Sequence, residues 1–141
     1  MSAVSPGFAG TWLTPDDPGY DAARGLWNAM IDRRPAVVAQ CVDAEDVSVA
    51  LRFAREASLP VAVRGGGHSV PGHSSCNDGL VIDLSAMRGV RVEADRGVAH
   101  AQGGCLLADL DQATQAHGLA VPAGAVSHTG VGGLTLGGGV G

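Results

Sequence analysis

An α+β fold is predicted for this chain: a small parallel β-α-β unit followed by mixed or antiparallel strands, with helices flanking them. Three observations carry that prediction. Residues 36–63 read strand, helix, strand at the spacing of a parallel unit. Residues 90–102 alternate apolar and polar side chains about the turn Asp95-Arg96-Gly97, the pattern of a hairpin. Residues 105–117 place Leu106, Leu110 and Ala113 at helical spacing, and Gly118 follows where a left-handed residue ends a helix.

The elements follow in order. Residues 1–20, with Pro6, Pro15 and Pro18, read as an irregular arm. A short helix after Asp21 carries Leu26, Trp27, Met30 and Ile31 inward and ends before Pro35. Ala36 to Ala39 forms a first strand. Asp43 caps a second helix with Asp46 three residues on, and Val47, Ala50, Leu51 and Ala54 share one face. Leu59-Pro60 stops it, and Val61 to Val63 leads directly into Arg64-Gly65-Gly66-Gly67-His68-Ser69. Leu80 to Leu84 is an apolar strand interrupted by Asp83, and Leu119 to Pro122 reads as a short strand or extended link. Gly124 to Gly141 has neither a clean strand period nor a clean helix period. The chain stops inside that segment, and backbone moulded by glycine around a ligand rarely serves as a free terminus. The expectation is therefore a truncated domain: residues 1–35 as an arm and helix, residues 36–141 as the first part of a longer domain.

Composition narrows the function. With 141 residues, 45% hydrophobic and 16% charged, the chain has the apolar content of one ordinary domain. A net charge of -5 leaves no basic face to displace counterions from nucleic acid. All nine basic residues are arginines, so a phosphate-loop lysine, a pyridoxal Schiff base and an aldolase-type amine are excluded. The first ten residues lack the cationic start and apolar run of a secretory signal, and no stretch reaches the ~20 apolar residues that span a bilayer. Three scattered cysteines, Cys41, Cys76 and Cys105, fit reduced thiols in a cytoplasmic protein.

The 22 glycines concentrate at 65–67, 103–104 and 130–141. Arg64 to Ser69 offers successive backbone N–H groups with no side-chain obstruction, which suits an anionic phosphate; a plain turn after a strand is the alternative. Neither cluster contains G-x-G-x-x-G, and the lack of lysine removes a Walker loop. His68, His73 and Cys76 could hold zinc, yet three candidates in one loop without a fourth lead to an expectation of no metal. His100 and His117 read as structural, and Asp109 and Asp111 as a solvated helix face.

The ordered set of motifs resembles a known family. These are Val61-Ala62-Val63-Arg64-Gly65-Gly66-Gly67-His68-Ser69, Asp78-Gly79-Leu80-Val81-Ile82-Asp83-Leu84, Gly103-Gly104, and Gly118-Leu119-Ala120-Val121-Pro122-Ala123-Gly124 leading into 130–141. The family is the FAD-linked oxidases with a PCMH-type (vanillyl-alcohol-oxidase-like) FAD domain, in the branch of berberine-bridge-enzyme-like and 6-hydroxynicotine-oxidase-like proteins. The resemblance implies FAD contacts from Arg64, Gly65, Gly66, Gly67, His68, Ser69 and Gly72, from Gly103 and Gly104, and from Gly124, Val126, Ser127, Thr129, Gly130, Val131, Gly132, Gly133, Leu136, Gly137, Gly138 and Gly139.

It also implies that His68 is bonded to the flavin's 8α-methyl carbon, since neutral imidazole is a nucleophile near neutral pH and the flavin renders that carbon electrophilic. Many members add a second bond from a cysteine in Gly-x-Cys-Pro-x-Val-Gly-Val-Gly-Gly. Here the segment from Gly124 to Gly133 carries Val126 at that position, and valine forms no thioether, so a single bond is expected. His128, two positions later, is expected to make a polar contact or stand exposed. The activity implied is hydride transfer from a small organic substrate (sugar, alkaloid, alcohol or aromatic) to FAD, with O2 as acceptor, no membrane or nucleic-acid partner, and an oligomeric state that the residues do not encode. The substrate-activating base belongs to a later domain, and no catalytic residue is assigned here. Two other readings stay open: a non-catalytic, incomplete flavin-binding module, and a small α/β protein that binds another phosphorylated ligand.

Overall fold

The computed structural model describes residues 7–139. A four-stranded sheet forms its centre, built from β1 (Thr11–Leu13), β2 (Val37–Gln40), β3 (Val61–Arg64) and β4 (Leu80–Asp83). The spatial order is β1-β2-β4-β3; β1 runs antiparallel to β2, whereas β2, β4 and β3 are mutually parallel. The sequence-derived β-α-β unit is therefore real, with β4 inserted between its two strands. A separate hairpin pairs β5 (Val90–Glu93) with β6 (Val98–Ala101) through a 3-10 turn at Ala94–Arg96, and Gly97 takes the left-handed φ of +62° that closes it.

Helix α1 (Tyr20–Arg24) packs on one face of the sheet and α2 (Ala44–Glu56) on the other, because successive strand side chains point to opposite faces. Val37, Ala39, Cys41, Leu80 and Ile82 face Ala50 and Ala54 of α2, and Val38, Val81 and Ala62 face Tyr20 and Ala23 of α1. Both faces of β4 are covered, which explains its uninterrupted apolar run; burial of Leu80 or Ile82 contributes about 1.5–3 kcal/mol each. The chain then continues into α3 (Leu107–Gln115), which packs on the hairpin, and α4 (Val131–Gly137).

Asp43 caps α2 as the sequence predicts, its carboxylate accepting from the Asp46 N–H at 2.9 Å. The inward face is rotated from the expected one: Val49 is buried and Leu51 is half exposed. The cause is Asp46, whose buried carboxylate accepts from the Ala9 N–H at 2.7 Å and the Val42 N–H at 2.9 Å. Gly118 has the expected positive φ, +68°.

Three expectations are corrected. The arm is not wholly irregular, since Thr11–Leu13 adds an edge strand to β2. The helix after Asp21 ends at Arg24, where Gly25 turns to extended backbone, and Trp27 and Met30 are exposed rather than inward. Residues 27–34 form no helix, turning at 27–30 and running on irregularly to Arg34, because their polar groups are spent on the loop after β3. The Trp27 N–H donates to the Gly67 carbonyl at 3.2 Å, Asn28 Nδ2 to the Val70 carbonyl at 3.0 Å, and Arg33 Nη1 to the Gly72 and Ser75 carbonyls at 2.8 and 2.6 Å. The glycine-rich segment, read as aperiodic, holds α4, whereas residues 119–122 carry no strand and form the link that the sequence offered as the alternative. The expectations for residues 1–6 and for Val140 and Gly141 lie outside the described residues.

Candidate FAD-binding site

The three parallel strands end on one side of the sheet, with Gln40, Asp83 and Arg64 in register at their carboxyl ends. Loops at that edge are where open parallel sheets place ligands. Asp83 is fully buried and ties the row together. It accepts from Arg64 Nε at 3.3 Å and Nη2 at 3.2 Å, from Gln40 Nε2 at 3.3 Å and from the Ser85 N–H at 3.0 Å. The remaining Arg64 nitrogen, Nη1, donates to the carbonyls of Ala23 and Gly25. The guanidinium is thus committed to bracing the end of β3, and the glycine loop starts from a fixed point.

From that point three glycine runs meet. A Cβ on Gly66 would lie 2.5 Å from the Gly130 nitrogen and 2.7 Å from its Cα, and a Cβ on Gly130 would lie 2.5 Å from the Gly66 nitrogen. Side chains are excluded from both positions, so the backbones at 65–67 and 130 pass in direct contact. Gly103 lies behind them, its carbonyl oxygen 3.0 Å from a Cβ on Gly65 and 3.2 Å from one on Gly132. Gly104 is pressed against Leu84, whose carbonyl oxygen a Cβ would overlap. Local hydrogen bonds hold the last run in place. Leu107 and Ala108, at the start of α3, donate to the Thr129 and Ser127 carbonyls at 2.9 Å, and the Val131 N–H donates to the Cys105 carbonyl at 2.8 Å. Asp109 secures that helix start by accepting from the Leu106 N–H at 2.8 Å and from Arg88 at 2.8 and 2.6 Å. These bonds, Arg88's foremost, hold its carboxyl below the usual carboxylate range despite an opposing effect of burial.

Between the runs lies a groove of about 400 Å³, lined by Val63, Gly65, Gly66, Gly67, His68, Ser69, His73, Ser74, Thr129, Gly130, Gly133, Leu134 and Gly138. Nine residues that the sequence singled out for FAD therefore line one groove. The others lie around it. Gly103, Gly104 and Gly132 form the layer behind. Gly124, Val131 and Gly139 line a neighbouring apolar groove of about 520 Å³ with Leu107, Leu110 and Leu134. Gly72 turns the loop at φ +78° against Ile31. Val126, Ser127, Leu136 and Gly137 are exposed, Leu136 almost completely. Arg64 faces a shallow depression shared with Trp27 and Arg88.

Four groove residues were missing from the expected contacts, the apolar Val63 and Leu134 and the polar His73 and Ser74. Ser74 is 91% buried, and its Oγ has no hydrogen-bond partner. A buried hydroxyl left unpaired is costly, so one that opens on a groove fits a polar ligand atom. Among the described residues, the backbone N–H groups of Gly66, Gly67, His68 and Ser69 also have no protein acceptor. Bare amides, one orphan hydroxyl and glycines at Gly133 and Gly138 with no atom within 4 Å of a Cβ position suit an anionic, close-fitting group such as a dinucleotide pyrophosphate. His73 follows the loop in sequence and was legible as polar; the orphan state of Ser74 arises from tertiary burial.

His68 stands on the lining with a ring on either neighbouring segment. Its imidazole stacks with Trp27, centroids 5.4 Å apart and planes at 27°, and lies 4.9 Å from the ring of the exposed His128. No group of three metal-ligating side chains gathers among the described residues. The cysteines are unpaired thiols, and burial pushes Cys41 up to about 12 and raises Cys76 and Cys105 as well, so none is a ready nucleophile. No helix among those residues is long and apolar enough to cross a membrane.

The chain belongs to a family described as an FAD binding domain, whose model matches residues 35–141. An uncharacterized FAD-linked oxidoreductase of Bacillus subtilis is 40% identical over 134 residues, covering 95% of this chain and 30% of that protein. The (R)-6-hydroxynicotine oxidase of Paenarthrobacter nicotinovorans is 35% identical over 132 residues, 94% of this chain and 29% of that enzyme. The crystal structure of 6-hydroxy-D-nicotine oxidase from Arthrobacter nicotinovorans matches with a TM-score of 0.90 at 31% identity, covering 95% of this chain and 30% of that one. The chain spans about 30% of the length of these relatives, and its mixed sheet with flanking helices is the corresponding part of their PCMH-type FAD-binding fold.

Proposed function

We propose that these residues form the FAD-holding part of a longer oxidoreductase, residues 1–35 serving as arm and helix and 36–141 as the first part of the FAD domain. The observation that carries this reading is the meeting of Gly65–Gly67 with Gly130 beside a groove on which His68 stands. The bare amides of Gly66 to Ser69 and the Ser74 hydroxyl would hold the pyrophosphate and nearby polar atoms, and Gly133 and Gly138 would let the cofactor approach the backbone. When bound, FAD supplies a two-electron acceptor for a hydride from a small organic substrate such as a sugar, alkaloid, alcohol or aromatic, and O2 then takes the electrons to give hydrogen peroxide.

His68 would anchor the cofactor once, through a ring nitrogen bonded to the 8α-methyl carbon. Such a bond would require the imidazole nitrogen to give up its proton and the methyl group one hydrogen, with O2 as the final acceptor of the two electrons released. Val126, in the position of the family's cysteine, supports a single attachment. The substrate-activating base would come from the part of the protein beyond these residues. Three cysteines that form no disulfide with one another support a reducing, cytoplasmic setting.

The test is made on the full-length protein. It should purify yellow, bleach under anaerobic substrate and regain colour in air; acid precipitation should leave flavin fluorescence in the pellet of the native protein and in the supernatant of H68A. Colourless protein that takes up no FAD would overturn the reading, and flavin released from the native protein would remove the covalent bond alone. The 141 residues by themselves should retain FAD far less well, since the groove they form covers only part of a dinucleotide.

A further inference from the structure

Trp27 has no place in the function described so far. Two thirds of its surface is exposed, an uneconomical position for the largest apolar side chain unless its plane has a partner. That partner is His68, at a separation and angle typical of offset stacking. Two hydrogen bonds set the pairing: the Trp27 backbone N–H donates to the carbonyl of Gly67, the residue before His68, and the Asn28 side-chain amide to the carbonyl of Val70, two residues after it. Residues 27 and 28 therefore grip the chain on both sides of the histidine. The loop itself does little to restrain the imidazole, because it follows three glycines and turns at Gly67 with φ +71°.

We infer that Trp27 is a positioning residue for His68: its indole plane, reinforced by the ring of His128, holds the imidazole in the orientation it presents to the groove. This rests on the reading of His68 as the flavin anchor, but the ring pairing can be tested apart from it. Without the indole the imidazole is free to share its staggered side-chain wells, so the fraction ready to react falls about three- to tenfold.

The experiment uses full-length protein produced without FAD in a riboflavin-starved host, in native form and as W27F, W27A and W27L, the last keeping apolar bulk without a ring. FAD is added and the rate at which flavin becomes acid-stable is followed, with a urea midpoint taken for each variant. W27A and W27L should attach flavin three- to tenfold more slowly, and W27F within twofold of native. Native rates in folded W27A or W27L overturn the inference. If the native protein attaches no flavin, the anchor reading fails, and a second readout judges the pairing. The ring-proton resonance of His68 in histidine-labelled protein, identified by its loss in H68Q, should move in W27L and return in W27F; an unmoved resonance in W27L also overturns it.

Discussion

Replacing Gly66 with alanine puts a methyl carbon 2.5 Å from the Gly130 nitrogen and 2.7 Å from its Cα, and both obstacles are backbone. No side-chain rotation relieves that contact. The two glycine runs must separate by about 1 Å to reach ordinary van der Waals distance, and overpacking of this kind costs about 1–3 kcal/mol. The same displacement would stretch a bond of ~2.9 Å from a loop amide to a phosphate oxygen beyond useful length. G66A in the full-length protein should therefore lower the free energy of urea unfolding by that amount and purify with far less flavin per chain than native. Gly133→Ala provides the contrast: its Cβ meets nothing within 4 Å, and alanine inside α4 should keep or raise stability, by up to about 1 kcal/mol. A G66A protein with native stability and native flavin content would refute the claim that direct backbone contact shapes the groove.

Three other perturbations probe the surrounding structure. Arg64→Met leaves the fully buried Asp83 carboxylate without its cation and should cost about 3–5 kcal/mol in denaturant unfolding, part of it recovered by adding Asp83→Asn. Ser74→Ala removes an orphan hydroxyl, so the flavin-free protein should be as stable as native or more so, while the Kd for FAD measured by fluorescence quenching rises up to about tenfold, the worth of one hydrogen bond. Asp109 is held below its ordinary value of 3.8, so its contribution is complete above that pH and is lost as pH falls through the lower folded-state value. D109N should lower stability at pH 7 by about 0.5–2 kcal/mol, the worth of a helix cap, and flatten the acid limb of an unfolding-versus-pH curve.

Much of the fold could be read from local patterns. The Asp43 cap, the run Leu80 to Asp83 and the hairpin about Asp95-Arg96-Gly97 each depend on neighbours in sequence, and each forms as expected. The misread elements depend on distant partners. Thr11–Leu13 becomes a strand only by pairing with Val38–Gln40, and residues 27–34 forgo a helix because Gly67, Val70, Gly72 and Ser75 take their hydrogen bonds. Helix α4 forms although glycine disfavours it by about 1 kcal/mol per residue, since the Val131 N–H is fixed on the Cys105 carbonyl and Gly130 is wedged against Gly66. For the site, glycine clusters and His68 were legible as residue types, and the structure brings nine of these residues to one groove. Ser74 escaped notice and Trp27 was read as an inward helix residue, because an unpaired hydroxyl and a stacked indole are properties of packing.

A crystal structure of the full-length protein with its flavin would test the central claim most directly. The pyrophosphate should lie in the groove, with oxygens about 2.7–3.2 Å from amides of Gly66 to Ser69 and the cofactor also touching the backbone between Gly130 and Gly138. Flavin density elsewhere, or a cofactor held by only one of the two runs, would contradict it.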